Sequence, residues 1–585
     1  MSPITPAARR RRRILTRTAP IVAVATAAFV AGVVAAAGDG DETAGSRFAA
    51  AWQEDRIDGM YAELSPRSRE DVSPAEFRRA YERAARTATA VGVRAESAGD
   101  VESGGSTLEL VRAVVDTRAF GEVSGEIELP LEDQGIAWEP HMAFPGLEAG
   151  EQLTRRTRIG ERAPILATDG SVLAEGPAEA RSLPIGPAAA AVVGEVGSPA
   201  PAGTRELEAR GFPPGALAGI SGLELAYDER LAGSPGGQLL ASSDGADGAE
   251  PRVLAATQPV DGRPVRTTVD AELQEAAVGA LGGLYGGVAV LDARRGSVRA
   301  LGGIAFTAPQ PPGSTFKVVT AVGALESEIV ALEDEFPVET SNSDIGREIS
   351  NSNDQACGGT FAESFANSCN TVFAPVGAEL GGQTLVDVAE RFGFNTVPTL
   401  HGAEATAAID PPASTIPTDL ADDVDVGVSA IGQGEVLATP LQMASVAQTI
   451  ANGGMRAPTL MVKGDLVPED EDVDDVRVTS KKVANTVRDL MIDVVDGGTG
   501  TAAALPSLQV AGKTGTAELG PAPLEPGEEL APGETPEQEL DAWFIAFAPA
   551  GDPELAVAVM IVGSEGDGGT IAAPIAREIL EAGVG

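Results

Sequence analysis

The sequence predicts a multidomain α+β protein. Its predicted parts are an N-terminal membrane anchor, a small α+β domain, an extended linking domain and a C-terminal α/β domain with a central antiparallel sheet flanked by helices. The chain has 585 residues, more than one hydrophobic core usually supports. A long uncharged segment follows an arginine-rich N-terminus. Strand-like segments lie at both ends of the C-terminal region with helical segments between them, an order that assembles one sheet from both ends of a domain.

The N-terminal segment is predicted to anchor the chain in a membrane. Arginines are concentrated in residues 1–18, and an uncharged run from Ala19 to Gly38 follows. At about 1.5 Å per residue this run spans roughly 30 Å, the thickness of a bilayer core. Residues 1–18 are therefore predicted to be a cytoplasmic tail, the run a single transmembrane helix, and the rest of the chain extracellular. Cleavage near Ala35-Ala36-Ala37, as in a signal peptide, is the open alternative.

Composition excludes several classes of function. The formal net charge is −44 at pH 7, and so acidic a surface repels nucleic acid, so no nucleic-acid partner is expected. His141 and His401 lie far apart without metal-ligand spacing, so neither a Ser-His-Asp triad nor a metal or cofactor site is predicted. Cys357 and Cys369 fit a disulfide in an oxidising compartment, and two reduced buried cysteines fit the sequence equally well.

Two regions precede the C-terminal domain. Residues 45–150 are predicted to form the small α+β domain. In it, Ser73-Pro74-Ala75-Glu76 has the pattern of a capping box with proline at the first helical position. Residues 154–260 are rich in Gly, Pro and Ala and have few long periodic segments, which is typical of an extended linking domain.

Residues 261–585 are predicted to form the larger domain. A Pro/Glu-rich stretch from Leu519 to Leu540 has little to bury and is predicted to be a mobile loop. Alternating and apolar runs bounded by turn residues predict two pairs of strands. The pairs are Gly287 to Ala293 with Ser297 to Ile304, and Ala542 to Pro549 with Glu554 to Val562.

One serine–lysine pair has the spacing of a catalytic motif. Of the five lysines, Lys317 alone has a serine three residues before it, Ser314. The preceding Pro311-Pro312-Gly313 run is expected to end an extended segment, so a helix begins near Ser314 and both side chains share one helix face. A serine hydroxyl needs a neighbouring base to act as a nucleophile, and a desolvated lysine amine is such a base.

Two further motifs follow in order. Ser368-Cys369-Asn370 lies in a predicted helix-to-loop context, and Lys513-Thr514-Gly515-Thr516 follows an apolar stretch. Each motif is common by itself in loops or turns. Together, in this order and inside one predicted α/β domain, Ser-x-x-Lys, Ser-x-Asn and Lys-Thr-Gly indicate penicillin-binding proteins or class A β-lactamases.

The region from Asp261 onward resembles the transpeptidase domain of class B penicillin-binding proteins. Besides the three motifs, the resemblance rests on Ile431-Gly432-Gln433-Gly434 and Gly498-Thr499-Gly500-Thr501. Residues 154–260 resemble the dimerisation or pedestal domain of that class, through Gly219-Ile220-Ser221-Gly222-Leu223-Glu224. Residues 45–150 resemble its nuclear-transport-factor-like (NTF2-like) N-terminal domain, which implies a small cone-shaped fold.

This resemblance implies a peptidoglycan D,D-transpeptidase at the cell membrane. Its substrates would be stem peptides ending in D-Ala-D-Ala, and β-lactam antibiotics would acylate the same serine. Glycosyltransferase, divisome or elongation proteins are the partners it suggests, without a choice among them. The implied catalytic residues are Ser314, Lys317, Ser368, Asn370 and Lys513, and the implied substrate-binding residues are Thr514, Gly515 and Thr516.

Three alternatives stay open. A β-lactamase shares the motifs but deacylates with water, and a D,D-carboxypeptidase differs from a transpeptidase only in using water as the acceptor. A non-catalytic β-lactam sensor or cell-wall assembly scaffold keeps the fold without the chemistry. The predicted anchor and accessory domains favour a wall enzyme over a β-lactamase, and intact Ser314, Lys317 and Lys513 disfavour a scaffold.

Overall fold

The computed structural model of the chain describes most of the residues from Thr43 onward. The predicted tail and transmembrane helix, residues 1–38, lie outside the described residues. Within those residues, no helix is both long and apolar enough to cross a bilayer. The described ranges are 43–103, 106–133, 135–243, 250–407, 409, 411–468, 474–521 and 538–584.

The chain divides into two compact units. Of the described residues, the first unit contains those up to Thr157 with Ala209–Gly211 and those within Gly236–Gln258. The second unit contains Arg158–Glu208, Phe212–Pro235 and the described residues from Pro259 onward. The first part of the described chain contains α1 (Ala44–Gln53), α2 (Ile57–Ala62), α3 (Pro66–Asp71), α4 (Pro74–Ala88), β1 (Ala90–Ser103), β2 (Ser106–Thr117), β3 (Gly121–Glu132), β4 (Gly135–Ile136) and β5 (Glu151–Arg158).

In the first unit, helices pack on an antiparallel sheet with strand order β1-β2-β3-β4. Helix α4 begins with the predicted capping box, in which Ser73 and Glu76 each accept a hydrogen bond from the other's backbone N–H. This satisfies two N–H groups that a helix start otherwise leaves unpaired. The buried face of α4 carries Phe77 and Tyr81, and the Phe77 ring centroid lies 4.9 Å from those of both Tyr81 and Trp138.

The middle of the chain consists of short elements, as its composition predicts. Two strands of this segment, β10 and β11, join β5 of the preceding part in a sheet of the first unit with order β11-β10-β5. The elements are β6 (Ile165–Leu166), β7 (Val172–Ala174), α5 (Pro187–Val193), β8 (Val196–Gly197), α6 (Pro201–Arg210), β9 (Ala218–Gly219), α7 (Gly222–Ala226), α8 (Asp228–Ala232), β10 (Gly236–Ser243) and β11 (Arg252–Thr257).

Buried charge pairs organise the second unit's share of this middle segment. Arg162 Nη2 donates to Glu224 Oε2 at 2.6 Å, and Arg162 Nη1 donates to Asp228 Oδ1 at 3.0 Å. Arg181 Nε donates to the other Glu224 oxygen at 2.7 Å. These four side chains are at most 10% exposed. Since a buried charge without its partner is strongly destabilising, the Glu224 that ends the Gly219–Glu224 pattern is a structural residue.

The rest of the second unit contains the larger α/β arrangement. Its elements are β12 (Val265–Arg266), α9 (Ala271–Ala280), β13 (Gly286–Asp292), β14 (Val298–Gly303), α10 (Lys317–Glu326), β15 (Glu335–Glu339), β16 (Ser341–Asn342), β17 (Ile349–Ser350), β18 (Cys357–Thr360), α11 (Phe361–Ala366), α12 (Asn370–Leu380), α13 (Gly382–Arg391), α14 (Asp423–Ala430), α15 (Pro440–Ala451), β19 (Met455–Arg456), β20 (Val476–Arg477), α16 (Lys481–Asp496), β21 (Ala511–Pro521), β22 (Gln538–Ala548), β23 (Leu555–Ser564) and α17 (Ala573–Val584).

The central antiparallel sheet has strand order β14-β13-β23-β22-β21. Both predicted strand pairs are confirmed, and β13 joins them by pairing with β23 from Gly286 opposite Ile561 to Asp292 opposite Leu555. One face of the sheet packs against α9 and α17, and the other packs against α15 and α16. Strand β21 lies at the edge of the sheet and carries the Lys-Thr-Gly motif.

The predicted loop from Leu519 to Leu540 is wrong at its ends. Strand β21 continues to Pro521 and β22 begins at Gln538, with Gly520 opposite Glu539. Cross-strand pairing extends this hairpin beyond the point where the composition changes, because backbone hydrogen bonds need no apolar side chains. Residues 522–537 of the predicted loop lie outside the described residues.

Candidate active site

Ser314 lies at the start of a buried helix, as the sequence predicts. A 3-10 turn over Gly313–Phe316 leads directly into α10. Every residue of α10 from Lys317 to Ala324 is buried. Because the turn leads directly into this helix, packing of the helix in the core fixes the position of the turn. Ser314 itself is 9% exposed. The first N–H groups of a helix lack partners within it, which leaves backbone donors near this hydroxyl.

Two glycines allow the edge strand β21 to approach the Ser314 turn. Gly313 has φ +52°, and a Cβ at this position would lie 2.6 Å from the Thr516 carbonyl oxygen. A Cβ at Gly515 would lie 2.8 Å from the Pro312 carbonyl oxygen. Both distances are shorter than carbon–oxygen contacts allow, so the glycine of Lys-Thr-Gly is required for this packing.

The second motif forms the corner between α11 and α12. Helix α11 ends at Ala366, and Cys369 is the N-cap of α12. Between them, Ser368 has φ +62°, a left-handed conformation that costs a non-glycine residue about 1 to 2 kcal/mol. Cys369 forms a disulfide with Cys357, which answers the question that the sequence left open. Asn370 Nδ2 donates to the backbone at 2.9 Å, which fixes the orientation of its amide.

Hydrogen bonds join the two lysines to this corner. Lys317 Nζ donates to the Ser368 carbonyl oxygen at 2.7 Å and to Asn370 Oδ1 at 2.7 Å, and it lies 3.4 Å from Ser368 Oγ. Lys513 Nζ donates to Ser368 Oγ at 2.8 Å and to the Thr514 carbonyl oxygen at 3.0 Å. Ser368 therefore contacts both amines, and three segments that are distant in sequence meet at one residue.

Both amines are fully buried, and their pKa values are low for that reason. Burial, reinforced by the nearby charge of Lys513, holds the pKa of Lys317 well below its usual range. Burial lowers the pKa of Lys513 to about 7. Phe373 and Phe365 lie beneath the two amines, with ring centroids 5.5 and 5.7 Å away. Unlike exposed lysines, these two have access to the neutral form near physiological pH.

Five of the eight predicted site residues line one open pocket. In the described part of the chain, the Ser314 hydroxyl makes no hydrogen bond to protein. Lys317 and Lys513 are buried and do not line this pocket. A second hollow lined by Ser314, Asn370 and Thr516 adjoins the first. The first pocket is lined by Ser314, Ser368, Thr514, Gly515 and Thr516 together with Asn351, Ser352, Asn353, Gln355, Cys357, Asn367, Thr499, Asp567 and Gly569.

Sequence reasoning missed a role for Thr499. Its hydroxyl lies 2.6 Å from the Thr514 hydroxyl, and its N–H donates to the Ala366 carbonyl oxygen at 3.2 Å. Thr499 thus links the Lys-Thr-Gly strand to the end of the helix before Ser368. The Gly498–Thr501 stretch contributes to the family resemblance, but its pattern alone does not place a hydroxyl beside Thr514.

The two histidines lie in other surroundings. His141 Nδ1 lies 3.4 Å from a Glu139 carboxylate oxygen, and His401 Nδ1 accepts a hydrogen bond from the Ile409 N–H at 3.4 Å. Neither lines the pocket beside Ser314. The site therefore relies on lysine amines where a Ser-His-Asp triad relies on imidazole.

A Ser-x-x-Lys helix start, a Ser-x-Asn corner and a Lys-Thr-Gly edge strand around one pocket define the penicillin-recognising class of active-site-serine folds. The sequence pattern of the penicillin binding protein transpeptidase domain matches residues 286–581, just over half of the chain. Patterns of the penicillin-binding protein dimerisation domain and of the NTF2-like N-terminal transpeptidase domain match residues 160–267 and 41–151. The chain belongs to the penicillin-binding protein transpeptidase family, with the three-part architecture of a class B member.

Curated relatives and solved structures agree with this family. The peptidoglycan D,D-transpeptidase PbpA of Mycolicibacterium smegmatis is 36% identical over 301 residues, which are 48% of this chain and 56% of that protein. The match thus spans about half the length of this relative. Penicillin-binding protein A of Mycobacterium tuberculosis, in a ceftriaxone acyl-enzyme complex, is 25% identical with a TM-score of 0.57, covering 73% of this chain and 99% of that one. The D,D-transpeptidase domain of an Eggerthella lenta peptidoglycan glycosyltransferase is 28% identical with a TM-score of 0.56, covering 73% and 98%.

Proposed function

We propose that this chain is a peptidoglycan D,D-transpeptidase that cross-links stem peptides through an acyl-enzyme at Ser314. The observation that carries the proposal is the contact of Ser368 with both buried amines, Lys317 and Lys513, at the wall of the pocket that Ser314 lines. This arrangement supplies a nucleophile, a base and a proton relay within one site.

Lys317 is the base in this mechanism. A neutral amine has two N–H donors and one lone pair, and its two short hydrogen bonds to the Ser368 carbonyl oxygen and Asn370 Oδ1 use both donors. The lone pair is then left for the hydroxyl proton of Ser314, three residues earlier on the same turn. The low pKa of Lys317 favours this neutral form.

The substrate carboxylate and the oxyanion are bound from the other side of the pocket. Lys513 supplies positive charge, and Thr514 and Thr516 bind the terminal carboxylate of D-Ala-D-Ala. The backbone N–H groups of Ser314 and Thr516 form the oxyanion hole, each contributing about 3 to 4 kcal/mol to transition-state stabilisation. Gly515 has no side chain and so allows the strand to approach the Ser314 turn closely.

The bonds and protons are accounted for in both acylation and deacylation. Ser314 Oγ bonds to the penultimate D-alanine carbonyl carbon, the peptide bond to the terminal D-alanine breaks, and Ser368 passes a proton to the leaving amine. An amine of a second stem peptide attacks the acyl-enzyme, forms the cross-link and returns the proton to Ser314. A β-lactam takes the place of D-Ala-D-Ala and remains bound, because its leaving group stays tethered.

The domain and membrane predictions complete the proposal. Residues 19–38 anchor the chain and residues 1–18 stay in the cytoplasm. Residues 45–150 form the NTF2-like domain, residues 154–260 the pedestal domain and residues 261–585 the transpeptidase domain. The strongly negative net charge disfavours nucleic acid as a partner. Glycosyltransferase, divisome or elongation proteins are proposed partners of the exported domains.

Labelling with a fluorescent penicillin tests the function. We expect a long-lived adduct on the wild-type chain, located at Ser314 by peptide mass spectrometry and absent from Ser314→Ala. We also expect D-alanine release and cross-linked product from a lipid-linked substrate with an added amine acceptor. Release of the label within seconds would support a β-lactamase, release of D-alanine without cross-linking a carboxypeptidase, and no label at all a non-catalytic scaffold.

Removing the Thr499 hydroxyl is expected to weaken acylation. Thr499→Val keeps the shape of the side chain but leaves the Thr514 hydroxyl without its partner, so the carboxylate subsite loses its fixed orientation. The acylation rate constant is expected to fall about tenfold, as for loss of one hydrogen bond in a site that binds a charged group. Stopped-flow acylation measures this, with Thr499→Ser as the matched control that retains the hydroxyl. Equal rates in the valine and serine variants would contradict a role for this hydrogen bond.

A further inference from the structure

A disulfide lies inside the second catalytic motif. Cys369, the middle residue of Ser368-Cys369-Asn370, is bonded to Cys357, and their Cα atoms are 5.4 Å apart. The two cysteines are 0% and 5% exposed. Cys357 also lines the pocket that Ser314 lines. The bridge therefore connects the wall of the pocket to the residue that follows Ser368.

Both ends of the bridge are anchored independently. Cys357 begins β18, where it lies opposite Glu339 of β15. Cys369 donates its N–H to the Ser364 carbonyl oxygen at 2.9 Å and is the N-cap of α12. The two cysteines are 12 residues apart in sequence, so the covalent ring encloses only the rest of β18, α11 and the corner with Ser368. So short a ring leaves the corner little conformational freedom.

Ser368 needs such a constraint. Its φ of +62° lies in the left-handed region, which serine does not favour. In this conformation its carbonyl oxygen accepts from Lys317 and its hydroxyl accepts from Lys513. A change of φ to a right-handed or extended value would turn the carbonyl and the hydroxyl away from the two amines. The contacts of the site thus depend on a backbone conformation that the local sequence disfavours.

We propose that the Cys357–Cys369 disulfide is a positioning element that holds Ser368 against both lysines, so that full acylation activity requires oxidised cysteines. This inference rests on the proposed transpeptidase function. A dithiol reductant breaks the S–S bond, delivers two electrons and two protons to give two thiols, and is itself oxidised to a disulfide. With the ring open, Ser368 is free to leave the left-handed region.

The test compares acylation by a fluorescent penicillin in the oxidised chain, in the chain reduced under native conditions and in Cys357→Ser. We expect the acylation rate constant to fall about tenfold to a hundredfold in the last two, as for a misplaced catalytic group. Reoxidation is expected to restore the rate in the wild type and not in Cys357→Ser. The pH profile of acylation is expected to shift as well, because Ser368 contacts both titrating amines.

A matched variant separates positioning from loss of stability. Val557→Ala removes buried volume from β23 on the sheet face that packs against α17, and it leaves the disulfide intact. It is expected to lower the melting temperature without changing the acylation rate or its pH profile. A reduced chain that stays folded by circular dichroism and acylates at the oxidised rate would overturn the positioning role. An oxidised wild-type chain without label at Ser314 would instead overturn the proposed function.

Discussion

Replacing Lys317 with methionine is expected to lower the second-order rate constant for acylation of Ser314 by about a thousandfold or more, within the range of losses seen for a general base. Methionine is unbranched like lysine and one heavy atom shorter, so it fills most of the same buried space, but it has no lone pair of comparable basicity. Ser314 would then have to lose its proton to water. The hydrogen bonds to the Ser368 carbonyl oxygen and Asn370 would be lost as well.

Stopped-flow acylation with a β-lactam measures this loss. Lys482→Met is the matched control, because Lys482 is exposed on α16 and the same substitution there removes an amine that the site does not use. Lys317→Arg is a second informative variant, because arginine retains the charge but does not give up its proton near neutral pH. Acylation of Lys317→Met at a rate close to that of Lys482→Met would show that another group takes the proton.

The local parts of this site were predictable from the sequence. A proline-glycine run before Ser314 predicts a helix start, and a spacing of three residues places Lys317 on the same face. The capping box at Ser73 and the turn between the two strands of each predicted pair are likewise short-range features, and the structure confirms both. Short-range patterns succeed because the interactions they encode lie within a few residues.

The features that sequence reasoning missed depend on tertiary packing. The hydrogen bond between the Thr499 and Thr514 hydroxyls exists because the end of α16 packs beside the edge strand. The left-handed conformation of Ser368 is imposed by its surroundings, since the local sequence contains no glycine or asparagine that favours it at this position. The disulfide could not be separated from two reduced cysteines, because both states have the same sequence. The extension of β21 toward Pro521 depends on its partner strand.

Replacing Lys513 with methionine is expected to slow acylation and, in contrast, to stabilise the folded protein. The effect on acylation depends on the substrate. Acylation by β-lactams that carry a carboxylate should fall about a hundredfold, the loss that accompanies removal of one partner from a buried charge-assisted contact. β-Lactams without that carboxylate should lose less, because they do not use the charge. Ser368 would also lose the amine that holds its hydroxyl at 2.8 Å.

The pH dependence of the acylation rate constant shows whether acylation needs Lys513 to be protonated. Acylation requires Lys317 to be neutral, so it falls as acid protonates that amine. Binding of the carboxylate requires Lys513 to be protonated, and its pKa of about 7 in the free protein predicts a second decline above neutral pH. The acylation rate constant should therefore be bell-shaped against pH for the wild type. The alkaline decline should disappear in Lys513→Met.

Although it slows acylation, the Lys513→Met substitution is expected to stabilise the folded protein. In the unfolded chain this amine titrates near 10.5, and in the folded protein at about 7. Protonation between these two values favours the unfolded chain, so the wild type loses stability as pH falls from 10.5 to 7, and below 7 the cost is fully present. Methionine removes this cost, so the variant should gain melting temperature over the wild type progressively across that window. Thermal unfolding at pH 6, 8 and 10 measures the gain, and a difference that does not grow as pH falls would mean that Lys513 stays charged in the folded protein.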